Sequence, residues 1–179
     1  MLENLAIDLK TDPNQSLVIL MCGIAGSGKS TLSKKIEAEK GFVRLSIDEE
    51  VWSFRGRYGI DYPVEKYEDY LDEAELRLIN KLITFIQEKR NIVVDTSCWN
   101  RSIRENYKRV IENAGGNWKL VYLKVHPDEL RRRLAIRNER FDANAAFPIT
   151  QEILDSFIRG FEEPKGEGEI VLKSEMPSS

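Results

Sequence analysis

The stretch of sequence that decides the fold is LVILMCGIAGSGKS, at residues 17–30. Its first six residues are all apolar, and a continuous apolar run of this length is typical of a parallel strand covered on both faces. The octet that follows, residues 23–30, matches the pattern G-x-x-x-x-G-K-[ST]. This order predicts a buried strand, a phosphate-binding loop and then a helix over residues 30–40.

Each part of the octet has a chemical reason. Glycines let backbone amides turn inward around phosphate oxygens, and the positive end of the following helix adds to the attraction. Lys29 is expected to reach the β- and γ-phosphates of a nucleotide, and Ser30 to offer its hydroxyl to Mg²⁺. The alternative is a glycine-rich turn in which the Lys-Ser pair is incidental. The predicted nucleotide-binding residues are Gly23, Ala25, Gly26, Ser27, Gly28, Lys29, Ser30 and Thr31.

Beyond this unit, short apolar runs alternate with segments of helical pattern, which predicts an α/β domain with a parallel sheet. We expect a leader at residues 1–16, a single domain at residues 17–172 and a frayed tail at residues 173–179. The predicted strands occupy residues 17–22, 42–47, 91–94 and 119–125, with a weak apolar triplet at 170–172, and the predicted helices occupy residues 30–40, 64–90, 101–114, 128–138 and 150–161.

Composition limits the class of protein. The 179 residues carry 27 Lys and Arg against 30 Asp and Glu, for a formal net charge of −3, and 41% of the residues are hydrophobic. This balance fits one ordinary globular domain and gives no bulk attraction to nucleic acid or to an anionic membrane. The longest apolar run is too short to span a bilayer, and Cys22 and Cys98 have no metal-ligand spacing. We expect a cytoplasmic protein with reduced cysteines and no membrane association.

Other features narrow the use of a bound triphosphate. A guanine-specific GTPase would need an Asn-Lys-x-Asp loop, but the segment Asn80-Lys81-Leu82-Ile83 lacks the aspartate and lies within a helical pattern. A ring-forming ATPase motor normally has a larger domain and an acidic pair after a second strand. The chain has Asp95-Thr96 at that place. A kinase remains as the expected class.

Two aspartates follow predicted strands and are candidates for the acceptor side. Asp48 comes directly after the strand at residues 42–47, at the edge of the sheet where parallel α/β domains bind ligands, and is expected to take the acceptor's proton. It could also, or instead, cap the next helix. Asp95 follows the strand at residues 91–94 and is interpreted either as a contact to metal-bound water or to the acceptor, or as a turn or capping residue.

Cations and aromatic residues near these strand ends complete the predicted site. Trp99 and Arg101 could line the acceptor pocket, or could be a packing residue and a solvated cation. Arg137 and Arg140 lie three residues apart on a predicted helix, followed by a lid-like segment at residues 141–148, and are expected to close over the phosphates. Residues 131–133, an arginine triplet, are interpreted as a solvated helical face.

An insert at residues 54–63 mixes aromatic and cationic side chains and follows Asp48. Arg55 and Arg57 could bind a phosphate or carboxylate of the acceptor, and Tyr58 could stack on a ring. The alternative is an exposed loop without a binding role.

Taken in order, these motifs resemble those of the P-loop kinases that include polynucleotide 5′-hydroxyl kinases, zeta toxins and chloramphenicol phosphotransferase, a group of AAA-type ATP-binding proteins. The resemblance implies a three-layer P-loop NTPase sandwich with sheet order 2-3-1-4-5, ATP as the phosphoryl donor, Asp48 as general base and an arginine-bearing lid with Arg137 and Arg140. Polynucleotide kinases usually carry an Arg three residues after the base, where this chain has Val51. That difference disfavours a nucleic-acid acceptor. The motifs carrying the resemblance are residues 23–30, 46–48, 93–96, 99–101, 134–140 and 161–164.

The sequence therefore predicts an ATP- and Mg²⁺-dependent phosphotransferase that acts on a hydroxyl of a small molecule, such as an antibiotic, a nucleoside or a sugar-like compound. Two alternatives remain open. One is a polynucleotide 5′-hydroxyl kinase, and the other is a non-enzymatic ATP-binding regulatory or toxin-like module.

Overall fold

The structure, a computed structural model, describes residues 7–139 and 141–174. Strands and helices alternate along most of this range, as the apolar runs predict. The elements are β1 (Leu17–Cys22), α1 (Lys29–Lys40), β2 (Val43–Ser46), α2 (Ile47–Arg55), a 3₁₀ turn (Val64–Lys66), α3 (Tyr67–Gln87), β3 (Ile92–Asp95), α4 (Arg101–Asn113), β4 (Asn117–Val125), α5 (Pro127–Arg137), a second 3₁₀ turn (Ala143–Ala145), α6 (Gln151–Gly160) and β5 (Glu169–Ser174).

The five strands form one parallel sheet in the order β2-β3-β1-β4-β5. In the centre of the sheet, Ile19 of β1 pairs with Val93 of β3 on one side and with Lys119 of β4 on the other. The predicted α/β class and the sheet order 2-3-1-4-5 are confirmed. Because all strands are parallel, their carboxyl ends lie at one edge of the sheet. The loop after β1 lies in the centre of this edge.

Helices cover both faces of the sheet. On one face, α3 and α4 bury Leu78, Leu82 and Ile111 against alternate residues of β1, β3 and β4. On the other face, α1 packs its Ile36 onto the sheet, together with Ile7 from the predicted leader. A further apolar cluster, formed largely by α5 and α6, packs against the loop after β1. This layering explains why β1 is apolar throughout, since both of its faces are buried.

Several boundaries differ from the predicted ones by a few residues, and two of them lie near Asp48 or the insert. The helix expected at residues 64–90 begins as a 3₁₀ turn and becomes α3 only at Tyr67. The strand expected to reach Ile47 ends at Ser46, whose hydroxyl accepts a hydrogen bond from the Glu49 amide and caps α2. The cap therefore belongs to Ser46, and the capping role considered for Asp48 is wrong.

The apolar triplet at residues 170–172 is the core of a fifth strand. β5 continues through Lys173 and Ser174, which pair with Lys124 and Val125, two residues past the predicted end of the domain. The remainder of the predicted tail, and residues 1–6 of the predicted leader, lie outside the described residues.

Both cysteines are free and buried, and burial raises the pKa of the Cys22 thiol to about 11. Such thiols act as small apolar groups in the core. Among the helices that the structure describes, none is long and apolar enough to cross a membrane.

A buried ion pair joins α4 to the segment before β5. Arg104 donates from Nε and Nη2 to the two carboxylate oxygens of Glu167, each at 2.7 Å, and both side chains are almost completely buried. Arg104 Nη1 also donates to the carbonyls of Cys98 and Glu162. These hydrogen bonds lower the pKa of Glu167 despite its burial. The pair fixes the chain as it enters the edge strand.

We expect Glu167→Gln to destabilise the protein by about 3 kcal/mol, because the Arg104 guanidinium would stay buried without its counter-charge. Urea unfolding followed by circular dichroism measures the loss. The matched control is Glu163→Gln, which removes a surface ion pair with Lys124 and should cost less than about 1 kcal/mol. Equal losses for the two variants would contradict this role of the buried pair.

Candidate active site

The phosphate-binding loop lies at the carboxyl end of the central strand. Its glycines have the left-handed backbone that the pattern requires, with φ angles of 146° at Gly23, 83° at Gly26 and 101° at Gly28. A Cβ atom on Gly23 would lie 2.7 Å from the Ser27 hydroxyl and 3.0 Å from the Leu123 carbonyl. Only glycine fits this position. Gly28 caps α1 without a side-chain hydrogen bond, so the loop leads directly into the positive end of that helix.

Lys29 is folded over the loop. Its Nζ donates to the carbonyls of Gly23 at 2.8 Å and Ile24 at 3.1 Å. Burial lowers the pKa of this amine, against the opposing effect of Asp95 and Asp48. A cation held by two loop carbonyls at the rim of an amide cradle fits the binding of a nucleotide's phosphates.

The other predicted loop residues have different surroundings. Ser27 is buried, with its hydroxyl turned back toward Gly23, whereas Ser30 is partly exposed and Thr31 is exposed. Ala25 packs against the cluster of α5 and α6. Ser27 is therefore enclosed within the loop, whereas Ser30 and Thr31 are accessible to solvent. The described residues contain no group of three or more His, Cys, Asp or Glu side chains that could hold a metal by themselves.

Asp48 lies in the first turn of α2, beside the ends of β2 and β3. Burial and the neighbouring Asp95 carboxylate raise its pKa to about 6, while Lys29 and Arg137 oppose this rise. Four charged side chains that the sequence predicted for the site therefore lie close enough to interact. They are Asp48, Asp95, Lys29 and Arg137. A carboxyl with a pKa near neutrality, next to a phosphate-binding lysine, has the properties of a general base.

Asp95 has a partner that the sequence analysis missed. Arg44, from β2, donates to Asp95 Oδ2 from Nη2 at 2.6 Å and from Nε at 3.2 Å, and both side chains are almost fully buried. The Ser33 hydroxyl donates to the same oxygen at 3.0 Å. Asp95 does not act as a helix cap, since Asn100 caps α4. The available signal was a single cation within the apolar run 42–47, which indicates a buried counter-ion.

Two lid arginines were predicted, and one of them is described. Arg137, at the end of α5, donates from Nε and Nη2 to the Asn144 carbonyl, at 3.0 and 2.8 Å. Arg140 lies outside the described residues. Arg133, which was expected to be solvated, donates to the Ser27 carbonyl in the phosphate-binding loop at 3.2 Å and to Glu129. That interpretation of Arg133 is wrong, because α5 packs directly against the loop.

Two arginines of the insert are paired with neighbours on the surface. Arg55 forms an ion pair with Glu73 and lies 4.6 Å above the Tyr70 ring. Arg57 donates to Asp61 at 2.9 Å. These pairings do not bring either guanidinium to Asp48.

Tyr58 of the insert packs against other aromatic residues. The ring of Tyr58 lies 4.8 Å from that of Phe147 in the lid-like segment and 5.3 Å from that of Tyr67. The Tyr67 hydroxyl is close enough to Asp48 for the carboxylate to contribute to its raised pKa, although burial is the main cause. An aromatic cluster that joins the insert to α3 and to the lid-like segment therefore lies near Asp48.

Trp99 and Arg101 lie farther along the same edge. Trp99 is 47% exposed, and its carbonyl accepts a hydrogen bond from the Glu162 amide. Arg101 lines a separate surface cavity of about 360 Å³ along α4, with Lys108 and Trp118. The structure does not bring Arg101 into contact with Asp48.

Curated relatives match part of the chain. A shikimate kinase of Persephonella marina is 32% identical over 100 residues, which is 56% of this chain, and a shikimate kinase of Chlorobium limicola is 28% identical over 123 residues, which is 69% of this chain. In both cases the match spans 58% of the relative's own length.

Solved structures share the fold over a larger part of the chain. A crystal structure of a protein from Chloroflexus aurantiacus has a TM-score of 0.74 at 16% identity, covering 91% of this chain and 90% of that one. A gluconokinase of Sinorhizobium meliloti has a TM-score of 0.58 at 19% identity, with coverages of 94% and 86%. The APS kinase of Mycobacterium tuberculosis, solved with AMPPNP and APS, has a TM-score of 0.61 at 19% identity, with coverages of 90% and 90%. At these identities the likeness concerns the fold.

A family profile described as "AAA domain" matches residues 18–164, from the start of the central strand to the segment before β5. The match includes the phosphate-binding loop, Asp48, Asp95 and the described part of the lid. The resemblance to AAA-type P-loop kinases is confirmed, and the chain belongs to the AAA domain family.

Proposed function

We propose that this protein transfers the γ-phosphoryl group of ATP to a hydroxyl group of a small molecule. The observation that carries the proposal is that Asp48, with a pKa of about 6, lies beside Arg137 and beside Lys29, the lysine of the phosphate-binding loop. A kinase needs a carboxylate for the acceptor's proton and cations for the phosphates. This edge of the sheet provides both.

The residues have separate roles in the transfer. Lys29 and the amides of residues 23–30 hold the phosphates of ATP, and Ser30 offers its hydroxyl to Mg²⁺. Bound Mg²⁺ would neutralise phosphate charge. Asp48 accepts the acceptor's proton as the hydroxyl oxygen bonds to the γ-phosphorus, and the bond from that phosphorus to the ADP oxygen breaks. Arg137 stabilises the negative charge on the transferred group.

Several features favour a small acceptor over a nucleic acid. The net charge is −3, and Arg55 and Arg57 are paired with Glu73 and Asp61, so their charge is already neutralised. Val51 replaces the acceptor-engaging arginine of polynucleotide kinases. The tyrosines near Asp48 supply flat faces and hydroxyls suited to an uncharged ring or a polyol. We also propose a cytoplasmic location, since the two cysteines are free and the reaction consumes ATP.

The acceptor can be found by measuring ADP release from ATP with sugars, nucleosides, aminoglycosides and 5′-hydroxyl oligonucleotides. We expect a small hydroxyl compound to stimulate release, and Asp48→Asn to reduce that rate at least about 100-fold through loss of the base. Asp72→Asn, at an exposed position on α3, is the matched control and should keep the rate. Stimulation by oligonucleotides alone would support the polynucleotide kinase, and ATP binding without any stimulation would support the regulatory module.

The rate should depend on pH through Asp48. Since only the ionised carboxylate accepts a proton, kcat/KM for the acceptor should fall below about pH 6, by about tenfold per pH unit. Arg137→Met should shift this acidic limb of the pH–rate profile to higher pH, because Arg137 favours the charged form of Asp48. Arg131→Met, on the exposed side of the same helix, should leave the limb in place. A limb near pH 4, the ordinary range of Asp, would contradict the assignment.

The loop geometry gives a test of nucleotide binding. Gly23→Ala should weaken ATP binding at least about 100-fold, because the new Cβ collides with Ser27 and with a backbone carbonyl. Gly41→Ala is the matched control, since Gly41 also has a positive φ, of 68°, but nothing lies within 4 Å of its Cβ position. It should cost about 1 kcal/mol of stability and leave binding intact. Isothermal titration calorimetry and thermal melting separate the two effects, and equal ATP affinity in both variants would sink the loop assignment.

A further inference from the structure

The Asn144 side chain connects the middle of the lid segment, residues 141–148, to β2 and α2. Asn144 Nδ2 donates to Glu49 Oε1 at 2.9 Å, and Asn144 Oδ1 accepts from Arg44 Nη2 at 3.2 Å. The backbone carbonyl of Asn144 accepts both hydrogen bonds from Arg137. One residue therefore connects the lid arginine with β2 and α2.

Arg44, which donates to the Asn144 side chain, is itself held by ion pairs. The Arg44 side chain is 3% exposed and is held by Asp95 and by Glu49, at 2.6 and 2.8 Å. Asp95 ends β3, an interior strand of the sheet, and Glu49 is the neighbour of Asp48 in α2. The Asn144 side chain is thus hydrogen-bonded to β2 and α2, the two elements that position Asp48.

We propose that Asn144 is a positioning residue that sets Arg137 against the γ-phosphate by tying the lid segment to Arg44 and Glu49. The inference rests on the proposed function, since it assigns Arg137 to the transferred group. A long, flexible guanidinium gains from such a fixed carbonyl, because a misplaced cation loses much of its effect on the phosphate.

Other contacts keep the lid segment in place without this amide. The Phe141 ring packs against Trp52 with centroids 5.6 Å apart, and Phe147 packs against Tyr58 and Tyr67. Removing the Asn144 side chain should therefore leave the segment docked while freeing the middle of it. This separates a loss of position from a loss of folding.

The test compares two nucleotides, so it does not need the acceptor. Affinities for ADP and for AMPPNP, both with Mg²⁺, are measured by calorimetry for the native protein and for Asn144→Ala, which keeps the backbone carbonyl. We expect the affinity for ADP to stay within about twofold and that for AMPPNP to fall about tenfold, the loss typical of one charge-assisted hydrogen bond. Thermal melting checks that the fold is retained.

A double-mutant cycle shows whether Asn144 acts through Arg137. In the Arg137→Met background, Asn144→Ala should change the AMPPNP affinity less than about twofold, because the cation is already gone. Asn113→Ala, exposed at the end of α4, is the matched control and should match the native protein for both nucleotides.

The outcomes separate the two proposals. If the native protein binds neither nucleotide, the proposed function fails. If it binds both but Asn144→Ala leaves the ratio of the two affinities unchanged, or the effects of Asn144→Ala and Arg137→Met multiply, the positioning role of Asn144 is overturned. A native protein that binds ADP and AMPPNP equally well would also overturn it, since Arg137 would then make no contact with the γ-phosphate.

Discussion

The burial of charge at one edge of a doubly covered sheet governs the rest of this structure. Helices cover both faces of the central strands, so ionised side chains can lie near those strands only where they end or where a counter-charge meets them. Arg44, inside β2, is a case of the second kind, because Asp95 and Glu49 neutralise its charge. Without Arg44, the buried Asp95 carboxylate would lose its ion-pair partner close to Asp48.

The same electrostatic arrangement makes Asp48 suitable for its proposed task. A fully neutralised carboxylate would be a weak base, and a carboxyl surrounded only by apolar groups would stay protonated. Asp48 lies between these limits, since burial and Asp95 raise its pKa while Lys29 and Arg137 lower it. Asp95, which Arg44 holds at the end of β3, thus contributes to the pKa of Asp48 through its charge.

The features that could be predicted from the sequence are those whose residues are close together along the chain. The strand, the loop and the helix over residues 17–40 are contiguous, and their pattern predicts both the local structure and the roles of Lys29 and the glycines. Arg44 and Asp95 are 51 residues apart, and Arg44 and Asn144 are 100 residues apart. No local pattern specifies such partners, since they meet only when the sheet order and the path of the lid are fixed. Periodicity likewise could not show that Arg133 faces the loop.

Helix α5 couples the two halves of the site. A Cβ on Gly26 would lie 3.0 Å from the Leu134 side chain, so this glycine is needed for close packing of the helix as well as for the turn of the loop. The preceding residue, Arg133, donates to the Ser27 carbonyl, and Arg137, about one turn farther along α5, donates to the Asn144 carbonyl in the lid segment. Residues 133 and 137 share a helical face. A movement of α5 would therefore shift the phosphate-binding loop and Arg137 together.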